Sequence, residues 1–167
     1  QKKGVNLSAL TCNSLINGFI KNRNINGAFE VFERMQHANV ELNVVTYTSL
    51  INGCFKSNNS SDAFKLFKKM QEKGIKPSVV TYNSLINGCF KQENIGLAFE
   101  LFQEMKQVKV KPDVVTYNSL IDGFVKKGEI ESAFQVFKGM QQEGVKPNKV
   151  TYTSLIDGFV KKGEIEG

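Results

Sequence analysis

Four short polar side chains, Thr48, Asn83, Asn118 and Thr153, stand in matching places of repeated segments, and the chemistry they offer is hydrogen-bonded recognition. An Asn amide presents donors and an acceptor together, and a Thr hydroxyl presents one donor and two lone pairs. Residues 46–55 read TYTSLINGCF and residues 81–90 read TYNSLINGCF, so the two segments differ only in Thr48 against Asn83. Residues 116–131 and 151–166 likewise differ only in Asn118 against Thr153. Drift after duplication scatters differences over exposed positions. A frozen frame with one varying polar residue therefore reads as a scaffold carrying a site that discriminates among similar partners. Short polar side chains near helix starts also serve as caps. A cap has no reason to alternate between Asn and Thr while its surroundings stay fixed.

The elements that hold these residues recur every 35 positions: Gly18, Gly53, Gly88, Gly123 and Gly158; Ala28, Ala63, Ala98 and Ala133; Met35, Met70, Met105 and Met140. Such a period marks a repeat array. Whole units span 9–43, 44–78, 79–113 and 114–148; residues 1–8 read as the tail of a preceding unit and 149–167 as the first half of a further one. The chain thus reads as a window of a longer array. In the fourth unit Tyr117, Leu120, Ile121, Phe124 and Val125 form one helical apolar stripe, and Ile130, Ala133, Phe134, Phe137 and Met140 form a second. Gly128, or a polar run such as Gln92-Glu93-Asn94, separates the two helices. Gly74 and Gly144 suit a left-handed position after the second helix, and Pro77, Pro112 and Pro147 stop it. A single helix pair cannot bury its own stripes, so neighbours must stack into one α-solenoid domain. Local opening is expected first in the second unit, where Ser60 replaces the Ile25, Ile95 and Ile130 of the others.

A 35-residue helical hairpin that opens with VVTYNSLIDGF and ends with Met followed by Gly-x-Lys-Pro resembles the pentatricopeptide repeat family, in its plain array form. The tetratricopeptide repeat is the nearest rival, but its period is about 34 and its first helix carries a Trp; this chain has no Trp. The resemblance covers the whole chain. It implies an all-α, right-handed superhelix of stacked helix-turn-helix units that binds single-stranded RNA, about one nucleotide per repeat. It also implies action by occupancy in RNA processing, stability or translation, in a mitochondrion or chloroplast. Carried over from the family, base readout falls to the fifth residue of each unit, Asn13, Thr48, Asn83, Asn118 and Thr153, and to the last, Asn43, Ser78, Asp113 and Asn148. Base stacking falls to Leu10, Val45, Val80, Val115 and Val150. Ionised Asp only accepts hydrogen bonds, so Asp113 suits the ring N–H of U or G, whereas Asn43 and Asn148 can serve C or A. By resemblance, Asn at the fifth place goes with pyrimidines and Thr with purines. The expected register is pyrimidine, purine, U, pyrimidine, purine, with the Thr48–Ser78 pair departing from the usual combinations.

The charge balance is compatible with that partner: 22 Lys plus Arg against 16 Asp plus Glu, net +6. Lys21, Lys56, Lys91, Lys126 and Lys161 recur near the ends of the first helices. Stacked helices about 8 to 10 Å apart would make them a ladder for phosphates; the helix macrodipole favours Lys there as well. Cys12, Cys54 and Cys89 lie on apolar stripes as small core residues. With a single His37, they form neither a zinc site nor a disulfide framework. Tyr47, Tyr82, Tyr117 and Tyr152 belong to the core stripe and are not expected to stack on bases. No cofactor is expected, and no motif supports catalysis by this segment, so it reads as a non-enzyme. The alternative function is a protein-binding helical scaffold. Apolar stripes at the ends, Leu10, Leu15 and Ile16 at one and Tyr152, Leu155, Ile156 and Phe159 at the other, predict end-to-end association.

Overall fold

The computed structural model describes residues 8–166, and the expected tail at 1–8 lies, but for Ser8, outside the described residues. Among them every regular element is a helix: α1 Ala9–Lys21, α2 Ile25–His37, α3 Val44–Lys56, α4 Ser60–Glu72, α5 Val79–Lys91, α6 Ile95–Gln107, α7 Val114–Lys126, α8 Ile130–Gln142 and α9 Lys149–Glu166. The chain divides into two compact units, one ending at Thr81 and the other beginning at Tyr82.

In the first unit α1 packs on α2 and α3 on α4, while α3 also lies against α1 and α2. In the second, α7 packs on α8 and α6, and α9 covers α7 and α8. Within each unit, a hairpin thus completes its core against the next one. Tyr47, Leu50, Ile51 and Cys54 of α3 are fully buried, as are Tyr117, Leu120 and Ile121 of α7. From the second helices come Ala28, Phe32 and Met35, then Ala98, Leu101, Phe102 and Met105. The expected stripe of α8 needs one correction. Val136 is buried there, and Phe134 lies at the edge, 36% exposed and packed on the rings of Phe137 and Phe159. Burial pushes the thiols of Cys54 and Cys89 up to about 12, with Asp62 adding to the shift at Cys54.

Both loops of every repeat use a left-handed residue. After the first helices it is Arg23, Asn58, Glu93 and Gly128; after the second it is Asn39, Gly74, Lys109 and Gly144. At each, the amide of the following residue closes back on the helix, as in Asn94 N to Cys89 O at 2.9 Å and Val110 N to Met105 O at 3.0 Å, the Schellman arrangement. Polar runs supply the next caps: Asn24, Asn59 and Asn94 accept from Gly27, Asp62 and Leu97 amides. At Gly53 and Gly123 the recurring glycine of the first helix has a packing reason, whereas a Cβ on Gly18 would meet nothing within 4 Å. A Cβ on Gly53 would lie 2.8 Å from Ile20, and one on Gly123 would lie 2.2 Å from the Phe90 ring.

Candidate nucleic-acid interface

Chain entry into each first helix brings the residues of interest together. Asn43 caps α3 and Asp113 caps α7, each in a reciprocal capping box with the Thr three residues on, Thr46 and Thr116. Ser78 and Thr81 make the same exchange at the start of α5, and Asn148 and Thr151 at α9. The last residue of each repeat is therefore a cap. In the first, third and fourth repeats it is also the partner of the fifth residue of its own repeat, which reaches it from the preceding first helix. Asn13 Nδ2 donates to Asn43 Oδ1 at 3.3 Å, Asn83 Nδ2 to Asp113 Oδ1 at 3.2 Å, and Asn118 Nδ2 to Asn148 Oδ1 at 3.1 Å.

The geometry fixes which atoms remain for a ligand. Oδ1 of Asn43 accepts from the amides of Val45 and Thr46 as well as from Asn13, so its Nδ2 is the group left over, a double donor. Asn148 is held the same way by Thr151 and Asn118. At Asp113 the bonds from Thr116 and Asn83 converge on Oδ1, and Oδ2 remains as an acceptor. Burial opposes ionisation of Asp113, but the hydrogen bonds from Thr116, Asn83 and Val115 outweigh it and hold the carboxyl below its ordinary value of 3.8. It is a carboxylate at neutral pH.

The second repeat has a different chemistry at the same place. Thr48 Oγ1 lies 2.7 Å from Thr81 Oγ1, which in turn lies 3.1 Å from Ser78 Oγ. A pocket of about 230 Å³ opens here, lined by Val44, Val45, Thr48, Ser49, Ser78 and Val80. Val45 and Val80 border it as exposed apolar side chains, and they belong to a series the core does not use: Leu10, Val45, Val80, Val115 and Val150 are 78%, 49%, 58%, 50% and 55% exposed. Isolated exposed aliphatics need no explanation. Their recurrence at one helical position beside the readout residues does.

Lys21, Lys56, Lys91, Lys126 and Lys161 are all exposed, eleven residues beyond the apolar series. At about 100° per residue that returns them to the same helix face, within about 20°, and about 16 Å further along the axis. Lys126 pairs with Asp122 at 2.6 Å, one turn back on that face. Asn17, Asn52 and Asn87 occupy the Asp122 place in the first three repeats. The tyrosines, by contrast, are inside: Tyr47, Tyr82 and Tyr117 are buried, while Tyr152 of α9 is half exposed.

Of the expected end stripes, Ile16 and Leu155 are buried, because α2 and α3 cover the one and α7 and α8 the other; Leu10, Leu15, Tyr152, Ile156 and Phe159 are exposed. Among the described residues no group of His, Cys, Asp and Glu could hold a metal ion, and no helix is long and apolar enough to cross a membrane.

Sequence reasoning misses the threonines. Thr46, Thr81, Thr116 and Thr151 are fully buried, yet each hydroxyl reaches the fifth residue of the repeat before it: Thr46 to Asn13 Oδ1 at 2.8 Å, Thr81 to Thr48 Oγ1, Thr116 to Asn83 Oδ1 and Thr151 to Asn118 Oδ1 at 2.7 Å. Their signal is a polar residue recurring unchanged one place before the tyrosine.

A family model described as the pentacotripeptide-repeat region of PRORP matches residues 2–166. A search of curated protein sequences finds no match. Among solved structures, the pentatricopeptide repeat protein PPR10 from maize is 29% identical with a TM-score of 0.83, over 96% of this chain and 23% of that one. PPR10 in complex with an 18-nt psaJ RNA element gives 25% identity and a TM-score of 0.85, over 93% and 23%. The PPR domain of Arabidopsis thaliana protein-only RNase P 1 in complex with tRNA shares the fold at 21% identity and a TM-score of 0.74, over 90% and 80%. The architecture is that of an all-α helical-repeat solenoid, and the chain spans about a quarter of the PPR10 chain.

Proposed function

The chain belongs to the pentatricopeptide-repeat family, and on that footing we propose that it is an RNA-binding module which reads single-stranded RNA one base per repeat. The observation that carries this reading is the pocket where Val45 and Val80, both exposed, flank the polar pair Thr48 and Ser78. Two branched aliphatics can sandwich a base while the polar pair meets its edge. The same positions recur in the sequence of the neighbouring repeats with Asn or Asp in the polar places. A relative bound to an RNA element adds support.

In this reading the leftover atoms select the base. The free donors of Asn43 and Asn148 face the ring acceptor of C or A, and the carboxylate of Asp113 accepts from the ring N–H of U or G. Read from N-terminus to C-terminus along RNA from 5′ to 3′, the array takes pyrimidine, purine, U, pyrimidine, purine. The lysines on the same helix face would carry the phosphates. The module itself performs no chemistry and acts by occupancy, protecting or remodelling a transcript in a mitochondrion or chloroplast.

Binding to single-stranded RNA, single-stranded DNA and duplex pools at two salt concentrations tests the partner. A preference for single-stranded RNA that weakens with salt is expected; equal binding to all three, or none, would return the fold to a protein scaffold. Asn83→Thr tests the register. With Asp113 kept, preference at the third place should turn from U towards G, and a uniform loss of binding would sink the assignment.

A further inference from the structure

We propose that the buried threonines Thr46, Thr81, Thr116 and Thr151 are positioning residues for base selection: each hydroxyl sets which polar atoms of the preceding repeat's readout pair face the base. The inference rests on the readout reading above and deepens it. The third repeat shows the geometry most fully. Thr116 is wholly shielded from solvent. Its Oγ1 accepts from the Asp113 amide at 3.1 Å, so its single proton is what it can give. Asn83 Oδ1 lies 2.7 Å away and Asp113 Oδ1 3.0 Å.

Donation to Asn83 fixes the amide. With its oxygen on Thr116, its nitrogen faces the carboxylate of Asp113 at 3.2 Å and donates to it. A flipped amide would set its oxygen against that carboxylate with no proton between them, a repulsive contact; the second lone pair of Thr116 could still take its NH₂, so the carboxylate is what excludes the flip. Only one orientation survives. It leaves Asn83 a second Nδ2 proton, and Asp113 its Oδ2, for a base.

The same triangle recurs at Thr46 with Asn13 and Asn43, and at Thr151 with Asn118 and Asn148. Thr81 is different. It faces two hydroxyls, Thr48 and Ser78, each of which can rotate to donate or accept. An amide locked by a hydroxyl presents one pattern; a chain of hydroxyls presents several. The second repeat should accordingly be the least selective, because its partner groups leave the proton of Thr81 more than one arrangement. Thr11 supplies an internal contrast. It is exposed and exchanges its hydroxyl with Ser8 at 2.9 Å.

The test uses the whole chain and four single-stranded RNAs carrying C-A-N-C-A, with N each base in turn. The wild type should favour U over C at N by about tenfold, the scale of one good base contact. Thr116→Val keeps the shape and removes the hydroxyl; the U over C ratio should fall to about twofold, losing most of that contact. Thr116→Ser, which restores the hydroxyl, should return it to near the wild-type value. Asp113→Asn serves as the control for the readout itself. If Asp113→Asn moves the preference while a folded Thr116→Val leaves it unchanged, or weakens all four RNAs alike, the positioning role is wrong and the readout stands. If the wild type shows no preference at N, both fall together. Should Thr116→Val fail to fold, side-chain NMR of the wild type decides. Asn83 NH₂ protons that exchange at the rate of an exposed Asn would overturn the lock, and protection about tenfold or more would uphold it.

Discussion

The second repeat, residues 44–78, and the two that follow it share one frame and fill it with different chemistry. In the third, an Asn amide and a carboxylate are clamped by Thr116; in the second, three hydroxyls of Thr48, Ser78 and Thr81 take their place. The buried tyrosines differ too. Tyr82 donates to Glu104 at 2.9 Å and Tyr117 hydrogen-bonds Glu143. The Tyr47 hydroxyl is buried without a partner among the described residues, since Lys69 and Lys73 stand at the places that Glu104 and Glu143 take in those repeats. Even the glycine meets different neighbours: ends of Ile20 and Ile25 at Gly53, the flat Phe90 ring at Gly123. Repetition thus conserves the backbone route, while local polar satisfaction and packing are settled repeat by repeat.

The glycines should break the equivalence most visibly. Gly123→Ala drives a methyl into the Phe90 ring and should cost up to about 2 kcal/mol, overpacking of about 1 to 3 set against a helix-propensity gain of about 1. Gly53→Ala meets movable aliphatic ends and should cost under about 1 kcal/mol. Urea unfolding of the two variants checks the order; equal losses would deny that the neighbours differ in give.

Grafting the clamp comes next. Thr48→Asn with Ser78→Asp gives the second repeat the pair of the third, and RNA selection should then show U at the second place by about tenfold, or about 1.4 kcal/mol. In the third repeat the preference should hold from about pH 8 to about pH 5. Because the Asp113 pKa is lowered by folding, its stabilising bonds are fully present above 3.8 and are lost only as pH falls through the lower folded value. A preference that fades near about pH 6 would argue against a carboxylate acceptor.

Removing the tyrosine hydroxyls should separate the repeats by a further step. Tyr82→Phe and Tyr117→Phe each remove one hydrogen bond to a Glu, Glu143 keeping its Lys106 partner, and should cost about 1 kcal/mol. Tyr47→Phe removes an unpaired buried hydroxyl and should be neutral or stabilising by a similar amount. Thermal melts of the three variants provide the comparison.

The smallest effect concerns charge. Lys56→Ala should reduce the log–log salt slope of RNA binding by about 0.7. Lys126→Ala should reduce it less, because Asp122 already shares that charge, and Asp122→Asn should strengthen binding. Equal slopes for both lysine variants would show that the ion pair does not compete with phosphate.

Much of the fold is legible in the residues alone. The 35-residue period, the paired apolar stripes and the turn residues dictate two helices per unit and the need to stack, because helical periodicity and backbone propensity act locally. The left-handed positions of Gly74, Gly128 and Gly144 are marked by glycine itself. Arg23, Glu93 and Lys109 in the same conformation carry no such mark, since nothing in those side chains asks for it and the closing hydrogen bonds impose it.

The candidate site divides the same way. Position in the repeat names Asn83 and Asp113, and their residue types name what each can donate or accept. The orientation of the amide, the burial of Thr116, the missing partner of Tyr47 and the pairing of Asp122 with Lys126 depend on atoms brought together from different helices or successive turns. Hydrogen-bond geometry is a matter of tenths of an ångström and of shared protons. A linear pattern fixes which groups are available; only packed helices decide which of them are already spent on each other and which are left to meet a ligand.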